Sequence, residues 1–292
     1  MKVSICIPTY KHPDFLKRCL DSVLQQDFTN YEIIITDDSP DDSISRLAET
    51  YNDERIHYYK NDRTLGSPRN WNKAISKAKG EYIKILHHDD WLAEPYSLRK
   101  YVELLNNNPD ADIAFSASCD IDEKGEKKSH IANETSLKKI EKDPPAIYLG
   151  NAIGAPSVCI FRNNKGYEFD PNLVWLVDIE FYIRLITAKR IFSYNPEILV
   201  NIGISEFQIT QQCLAELKLR ISEKLYLYHK LGLDNKSSEY RRSLIRTLGR
   251  ESILSTAGLK KILPDTQFSF NLYDSIFALY FYGRKQIGKC FK

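Results

Sequence analysis

Cysteine is sparse and shows no paired pattern: the six residues stand at 6, 19, 119, 159, 213 and 290, with no Cys-x-x-Cys among them. That spacing excludes a zinc ribbon and the disulfide framework of a small secreted domain, and it predicts reduced, mostly buried thiols. Long apolar runs are missing too. The longest near either end, Ile276 to Tyr282, falls far short of the ~20 residues that cross a bilayer. The opening Val3 to Pro8 is too short, and too soon broken by Pro8 and Lys11, to be the apolar region of a signal peptide. It reads as a strand, and the chain as cytoplasmic.

Neither charge sign dominates, with 41 Lys+Arg against 39 Asp+Glu and a net +2. The balance is uneven along the chain. Residues 1–206 hold 26 basic and 32 acidic residues, a net −6, whereas 207–292 hold 15 and 7, a net +8. A basic rear portion suits an anionic surface, nucleic acid or phospholipid. With 42% hydrophobic and 27% charged residues, disorder and collagen are excluded. A length of 292 residues accommodates one large domain with an appendage.

Through the first half, short β-branched runs alternate with helix-period stretches. Residues 3–7, 31–36, 55–60, 81–86 and 112–116 read as strands bounded by turn residues. Residues 13–26, 42–51, 67–79 and 95–108 carry apolar positions at i, i+3, i+4 and read as helices, with Ser67-Pro68 offering a capping hydroxyl before a proline. The alternation predicts an α/β fold, a mostly parallel sheet sandwiched by helices. The polar stretch 118–145 reads as a surface insertion with a hairpin tip at Asp122 to Gly125. Two more strands, 157–161 and 197–202, flank an amphipathic helix over 179–189, and beyond Ser205 the pattern is helical almost throughout.

In such sheets ligands bind beyond the carboxyl ends of the strands. There the first two strands run into Pro8-Thr9-Tyr10-Lys11 and Asp37-Asp38-Ser39, without glycine, so neither the dinucleotide fingerprint nor a P-loop follows them. Asp38 either accepts the N3–H of a uracil or thymine, or joins Asp37, Ser39 and Asp42 in capping the next helix. After the fourth strand comes Leu86-His87-His88-Asp89-Asp90-Trp91, the densest group of metal-ligand side chains in the chain. Carboxylate with imidazole suits Mn²⁺ or Mg²⁺ when substrate phosphates complete the shell. Strand alternation puts His87 and Asp89 on one face; the alternative is surface histidines with Asp90 as a helix cap. A zinc hydrolase would need histidines at helical i, i+4 spacing. Asp178, at a helix start, is either a general base held by the positive helix end or an N-cap.

Taken in order, five segments resemble the family 2 glycosyltransferases over about residues 1–206. They are Val3-Ser-Ile-Cys-Ile-Pro-Thr-Tyr10, Cys19-Leu-Asp-Ser-Val-Leu-Gln-Gln26, Tyr31-Glu-Ile-Ile-Ile-Thr-Asp-Asp-Ser39, Gly66-Ser-Pro-Arg-Asn70 and Ala78-Lys-Gly-Glu-Tyr-Ile83. The resemblance implies an inverting, nucleotide-sugar-dependent enzyme of the Rossmann-like GT-A fold over 1–206, with a helical extension over 207–292. It implies that Pro8, Thr9, Tyr10 and Asp38 line the nucleoside pocket, that Arg69 approaches the base or diphosphate, and that His88 joins this donor-binding group. Asp89 matches the last carboxylate of the family's Asp-x-Asp metal motif; His87 occupies its first position and is the second candidate ligand. Asp178 matches the Asp of the family's Glu-Asp pair, its catalytic base, with Val177 at the Glu position and Glu180 in reserve. The histidine that the family often carries after its last strand has no counterpart in Val200 to Ser205.

The implied donor is a UDP- or dTDP-sugar, and the implied acceptor a glycan or lipid-linked saccharide of surface polysaccharide synthesis; no nucleic acid is expected. A receiver-like signalling domain would need only ~120 residues and leaves the His87–Asp90 cluster unexplained. A catalytically degenerate, membrane-associated assembly subunit is the non-enzymatic alternative. Aromatic and aliphatic residues from Phe268 to Tyr282, followed by Arg284, Lys285, Lys289 and Lys292, suit peripheral contact with the anionic inner face of a membrane.

Overall fold

Every residue of β1 (Val3–Thr9) is buried, and so is every residue of β2 (Tyr31–Asp37). Strands apolar on both faces need cover on both, which crossover helices supply. The computed structural model, which describes residues 1–164 and 166–290, places α1 (Pro13–Leu24) between β1 and β2. Then follow α2 (Ser43–Glu49), β3 (Ile56–Lys60), α3 (Ser67–Lys77) and β4 (Tyr82–Ile85). Leu16, Cys19, Leu20 and Val23 form the buried stripe of α1. Each such Leu or Val contributes about 1.5–3 kcal/mol by leaving water.

The chain continues through β5 (Trp91–Leu92), α4 (Ser97–Asn106), β6 (Ile113–Asp122), β7 (Lys127–His130), α5 (Glu134–Lys142), β8 (Cys159–Arg162), α6 (Val177–Lys189) and β9 (Ser193–Ile204). The sheet order is β3-β2-β1-β4-β8-β6-β9-β5, with β7 paired to β6. Pairing is parallel through β3-β2-β1-β4 and again between β6 and β9. It is antiparallel where β8 enters between β4 and β6, and where β5 meets β9. The sheet is therefore mixed beyond β4.

Two sequence expectations are corrected here. The first five residues of the stretch 118–145 are no surface insertion: β6 runs on to Asp122 and pairs with β9, with Ser118 and Cys119 buried, whereas most of 123–143 lies at the surface. The polar side chains Ser118, Asp120 and Asp122 misled, because their place in the sheet is set by pairing with β9 and not by local apolar pattern. The hairpin tip itself is present: Gly125 adopts φ +80°, and the Asp122 side chain accepts the Lys124 and Glu126 amides. Second, α6 is not amphipathic. Eight of its residues are buried, from Val177 to Ile186.

Residues 1–206 form one compact unit and a second begins at Phe207. The second holds α7 (Ile209–Ala215), α8 (Leu217–Lys230), α9 (Ser238–Arg250), α10 (Thr256–Ile262) and α11 (Leu272–Cys290). Cys6, Cys19, Cys119, Cys159 and Cys213 are free and buried. Among the described residues no helix is long and apolar enough to cross a membrane.

Candidate active site

Thr9 lies opposite Asp37 in the parallel register, so β1 and β2 leave the sheet at one level. Asp37 is spent on structure: its carboxylate accepts Ser39 N–H (2.8 Å), Tyr58 Oη (2.8 Å) and Lys60 Nζ (3.0 Å). Asp38 reaches the other way. It accepts Asn61 Nδ2 at 2.7 Å and Gly66 N–H at 2.9 Å, while Leu65 N–H is shared between both oxygens at 3.1 Å. Neither residue caps α2, whose N-cap Asp42 makes no side-chain capping bond among the described residues. Asp38 instead ties down the loop that enters α3. That helix is capped by Gly66 at φ +83°, and the Ser67 hydroxyl expected there has no hydrogen-bond partner among the described residues. Thr9 is buried and Tyr10 is 45% exposed; beyond them Lys11 and His12 sit in the left-handed region, a strained turn for residues with a Cβ. Pro8 is buried within β1. Arg69 is exposed in the first turn of α3 and makes no hydrogen bond or ion pair among the described residues.

β4 ends at Ile85, earlier than its apolar run suggests, and the chain turns at His88-Asp89 with Asp90 N–H donating to His87 O at 3.0 Å. A turn, not strand alternation, gathers the ligands. Ligand atoms of His87, Asp89 and Asp90 all lie within 4.8 Å of one another. The His87 ring packs on Trp71 at 4.6 Å, and burial lowers its pKa to about 4, so the imidazole is neutral at physiological pH. Its Nε2 is buried without a hydrogen-bond partner among the described residues. His88 is not one of these three, and its Nε2 is also buried without a hydrogen-bond partner among the described residues. Its ring lies beside the Pro8 backbone and faces Phe15, 6.2 Å away.

Asp90, no helix cap, braces the turn: its Oδ1 accepts Gly203 N–H at 3.0 Å and its carboxylate meets Ser157. Burial, with Asp89 adding to it, holds the Asp90 carboxyl well above the usual range. Arg18 Nη2 donates to Asp89 O at 2.7 Å while its guanidinium lies 3.8 Å over the Trp91 ring, and Ser157 Oγ accepts His87 N–H at 2.9 Å. Gly203 admits no larger residue, since a Cβ there would collide with the Asp89 carbonyl.

Asp178 is half-buried in the first turn of α6, two residues past the N-cap Leu176. Neutral amides hold it: Asn151 Nδ2 donates to Oδ2 at 3.1 Å and Ile179 N–H to Oδ1 at 2.8 Å. Asn151 is itself fixed by the Ile153 and Gly154 amides. Glu180 differs. It is 1% exposed and forked onto Arg184, whose Nε and Nη2 lie 3.0 and 3.1 Å from its oxygens. An aromatic chain, Phe181 to Phe169 (4.2 Å), Phe169 to Trp71 (5.0 Å) and Trp71 to His87 (4.6 Å), links α6 to the His87 turn.

The family model for glycosyl transferase family 2 matches residues 4–169, more than half of the chain. The chain belongs to glycosyl transferase family 2. It is 30% identical over 244 residues to an uncharacterised glycosyltransferase of Methanocaldococcus jannaschii, covering 82% of this chain and 81% of that one. Colanic acid glycosyl transferase WcaA of Escherichia coli is 28% identical over 82% of this chain and 85% of its own length. Teichuronic acid glycosyltransferase TuaG of Bacillus subtilis is 26% identical over 78% and 87%. Among solved structures, S. aureus TarS 1-349 with UDP-GlcNAc superposes at TM-score 0.64 and 17% identity, covering 96% of this chain and 80% of that one. The Pyrobaculum calidifontis mannosyltransferase PcManGT, with GDP-Man and Mn²⁺, gives 0.60 and 15%, covering 98% and 75%. These likenesses establish the GT-A fold.

In this glycosyltransferase the His87 turn fits a divalent cation: a neutral imidazole with an unpartnered buried nitrogen faces two carboxyl groups within coordination reach. Asn151, Ser157 and Gly203 were invisible to sequence reasoning as parts of this site, whereas Asp90 already stood in the Leu86–Trp91 cluster.

Proposed function

We propose that the enzyme transfers a sugar, with inversion, from a UDP- or dTDP-sugar to a hydroxyl of a glycan or lipid-linked saccharide in cytoplasmic steps of surface polysaccharide synthesis. The observation that carries the reading is the contrast between two carboxylates two residues apart in the first turn of α6. Glu180 is buried and forked onto Arg184, whereas Asp178 is only half-buried at the helix start, where the Asn151 side chain and the Ile179 N–H orient its carboxylate. Asp178 takes the acceptor hydroxyl proton as that oxygen attacks the anomeric carbon. The bond from that carbon to the diphosphate breaks on the opposite face, and the nucleoside diphosphate leaves with the electron pair.

At the donor end, Pro8, Thr9, Tyr10 and His88 line the nucleoside side, and the unpaired Arg69 is available to the diphosphate. The Asp38 carboxylate accepts from Asn61 and Gly66 and, bifurcated over both oxygens, from Leu65 N–H; drawing that N–H onto one oxygen would let the other accept the N3–H of uracil or thymine. His87 and Asp89, with Asp90 behind them, would hold Mn²⁺ or Mg²⁺. When bound, such an ion supplies positive charge against the departing diphosphate. The names of WcaA and TuaG support a polysaccharide acceptor.

Nucleotide release from UDP- and dTDP-sugars with Mn²⁺ tests the reading. Turnover is expected in the wild type and lost on adding EDTA. Asp178→Asn should fall at least about 10²-fold with donor affinity kept and the fold intact, because the amide oxygen still accepts the Ile179 N–H and Asn151 Nδ2 keeps the Gly154 carbonyl, but the amide takes no proton. Near-normal turnover in Asp178→Asn, with loss in Glu180→Gln, would move the base to Glu180.

A further inference from the structure

α11 is apolar on two opposite faces, and α9 covers one of them. At its start Asn271 N–H donates to Asp274 Oδ2 and Asp274 N–H to Asn271 Oδ1, both at 2.9 Å. Asp274 turns inward, where Arg241 Nη2 meets it at 2.6 Å. One turn on, Ala278 is fully buried against Gly249 of α9, so closely that a Cβ on Gly249 would strike the Ala278 backbone. Phe281 and Lys285 continue this row; the Arg250 guanidinium lies 5.9 Å over the Phe281 ring, and Lys285 Nζ donates to the Arg250 carbonyl.

The other face carries Leu272, Tyr273, Ile276, Leu279, Tyr280 and Ile287, each between 55% and 82% exposed. At ~100° per residue these six, with Gly283, form a continuous stripe about 120° wide. The single acid of α11, Asp274, lies on the docked face, so the stripe carries no negative charge. Arg284 borders it, 5.9 Å from the Tyr280 ring. Lys292 and the side chain of Lys289, also expected to contribute, lie outside the described residues. From residue 207 onward the net charge is +8.

We propose that this face of α11 lies on an anionic phospholipid bilayer, with Leu272, Ile276, Leu279 and Ile287 at the acyl boundary and Tyr273, Tyr280 and Arg284 at headgroup level. Charge selects this occupant over a second copy of the chain, since self-association would bring one strongly basic region against another, while anionic headgroups bring the opposite sign. The helix lies along the surface, since no described helix is both long and apolar enough to span.

The test is co-sedimentation of the full chain with phosphatidylcholine vesicles and with vesicles that also contain phosphatidylglycerol. Binding is expected to the second and to fall as salt shortens the Debye length from ~10 Å at 0.1 M to ~3 Å at 1 M. Ile276→Glu with Leu279→Glu should cut the bound fraction about tenfold while leaving Tm and soluble nucleotide-sugar turnover unchanged. Should that pair fail to fold, Tyr273→Ser with Tyr280→Ser carries the same expectation. Full-length chain that ignores phosphatidylglycerol vesicles at low salt overturns the proposal, as does wild-type binding by folded variants. A lipid-free dimer that the same substitutions convert to a monomer assigns the face to self-association instead and also overturns it.

Discussion

Asp38 is a small case of one carboxylate serving several neighbours. Its oxygens collect Asn61, Leu65 and Gly66, and its own N–H donates to the Thr9 carbonyl at 3.0 Å, so it joins the ends of β1 and β2 to the entry of α3. Asp38→Asn replaces one acceptor oxygen with an NH₂ group that faces backbone donors. Leaving a buried donor unpaired costs about 1–3 kcal/mol, so urea unfolding should show a loss of that size. UDP-sugar affinity should fall as well, because the lone pair proposed for the base belongs to the same carboxylate. A stable variant with normal affinity would remove Asp38 from both roles.

Among elements, β9 matters for what it lacks. Where it passes the His88-Asp89 turn it presents Gly203, whose N–H holds Asp90 and whose missing Cβ makes room for the Asp89 carbonyl. Backbone cannot swing aside as a side chain can. Gly203→Ala should therefore displace the turn, cost about 1–3 kcal/mol of stability and weaken Mn²⁺ binding measured by calorimetry. Gly150→Ala is the control: that glycine has extended backbone and nothing within 4 Å of a Cβ, and it should leave both quantities unchanged.

At the scale of the molecule, a positive charge is buried beneath the site. Lys84 on β4 is fully buried, lies 4.4 Å over the Tyr101 ring, and donates to the Ser157 carbonyl. Burial lowers its pKa from 10.5 to about 7. The unfolded chain therefore holds this proton up to about pH 10.5 and the folded chain only to about 7, so the group opposes folding most below pH 7 and progressively less above it. His87 acts with the same sign between pH 6.5 and about 4. Cys159 acts with the opposite sign above about pH 9, because burial raises its thiol to about 12. Lys84→Met should be more stable than wild type at pH 6, by on the order of a few kcal/mol, and the advantage should shrink by pH 8.5. Urea midpoints in EDTA check this; an advantage that grows with pH would refute it.

The alternation of strands and helices, the strand ends and the His87-Asp89 pair were legible in the sequence because periodicity and turn chemistry act over a few residues. Pro8, Thr9, Asp38 and Asp178 were singled out by their order along the chain, and the structure places each at an element end. Local pattern could not show that 118–122 belongs to the sheet, since burial of Ser118 depends on β9, which lies far along the chain. Nor could it separate Asp178 from Glu180: that distinction rests on which neighbour each meets, Asn151 or Arg184. The bond from Gly203 to Asp90 spans 113 residues. Contacts of that range form only when distant strands meet, so the choice of candidate chemical groups lay in the sequence, while their bracing and their availability were decided by tertiary packing.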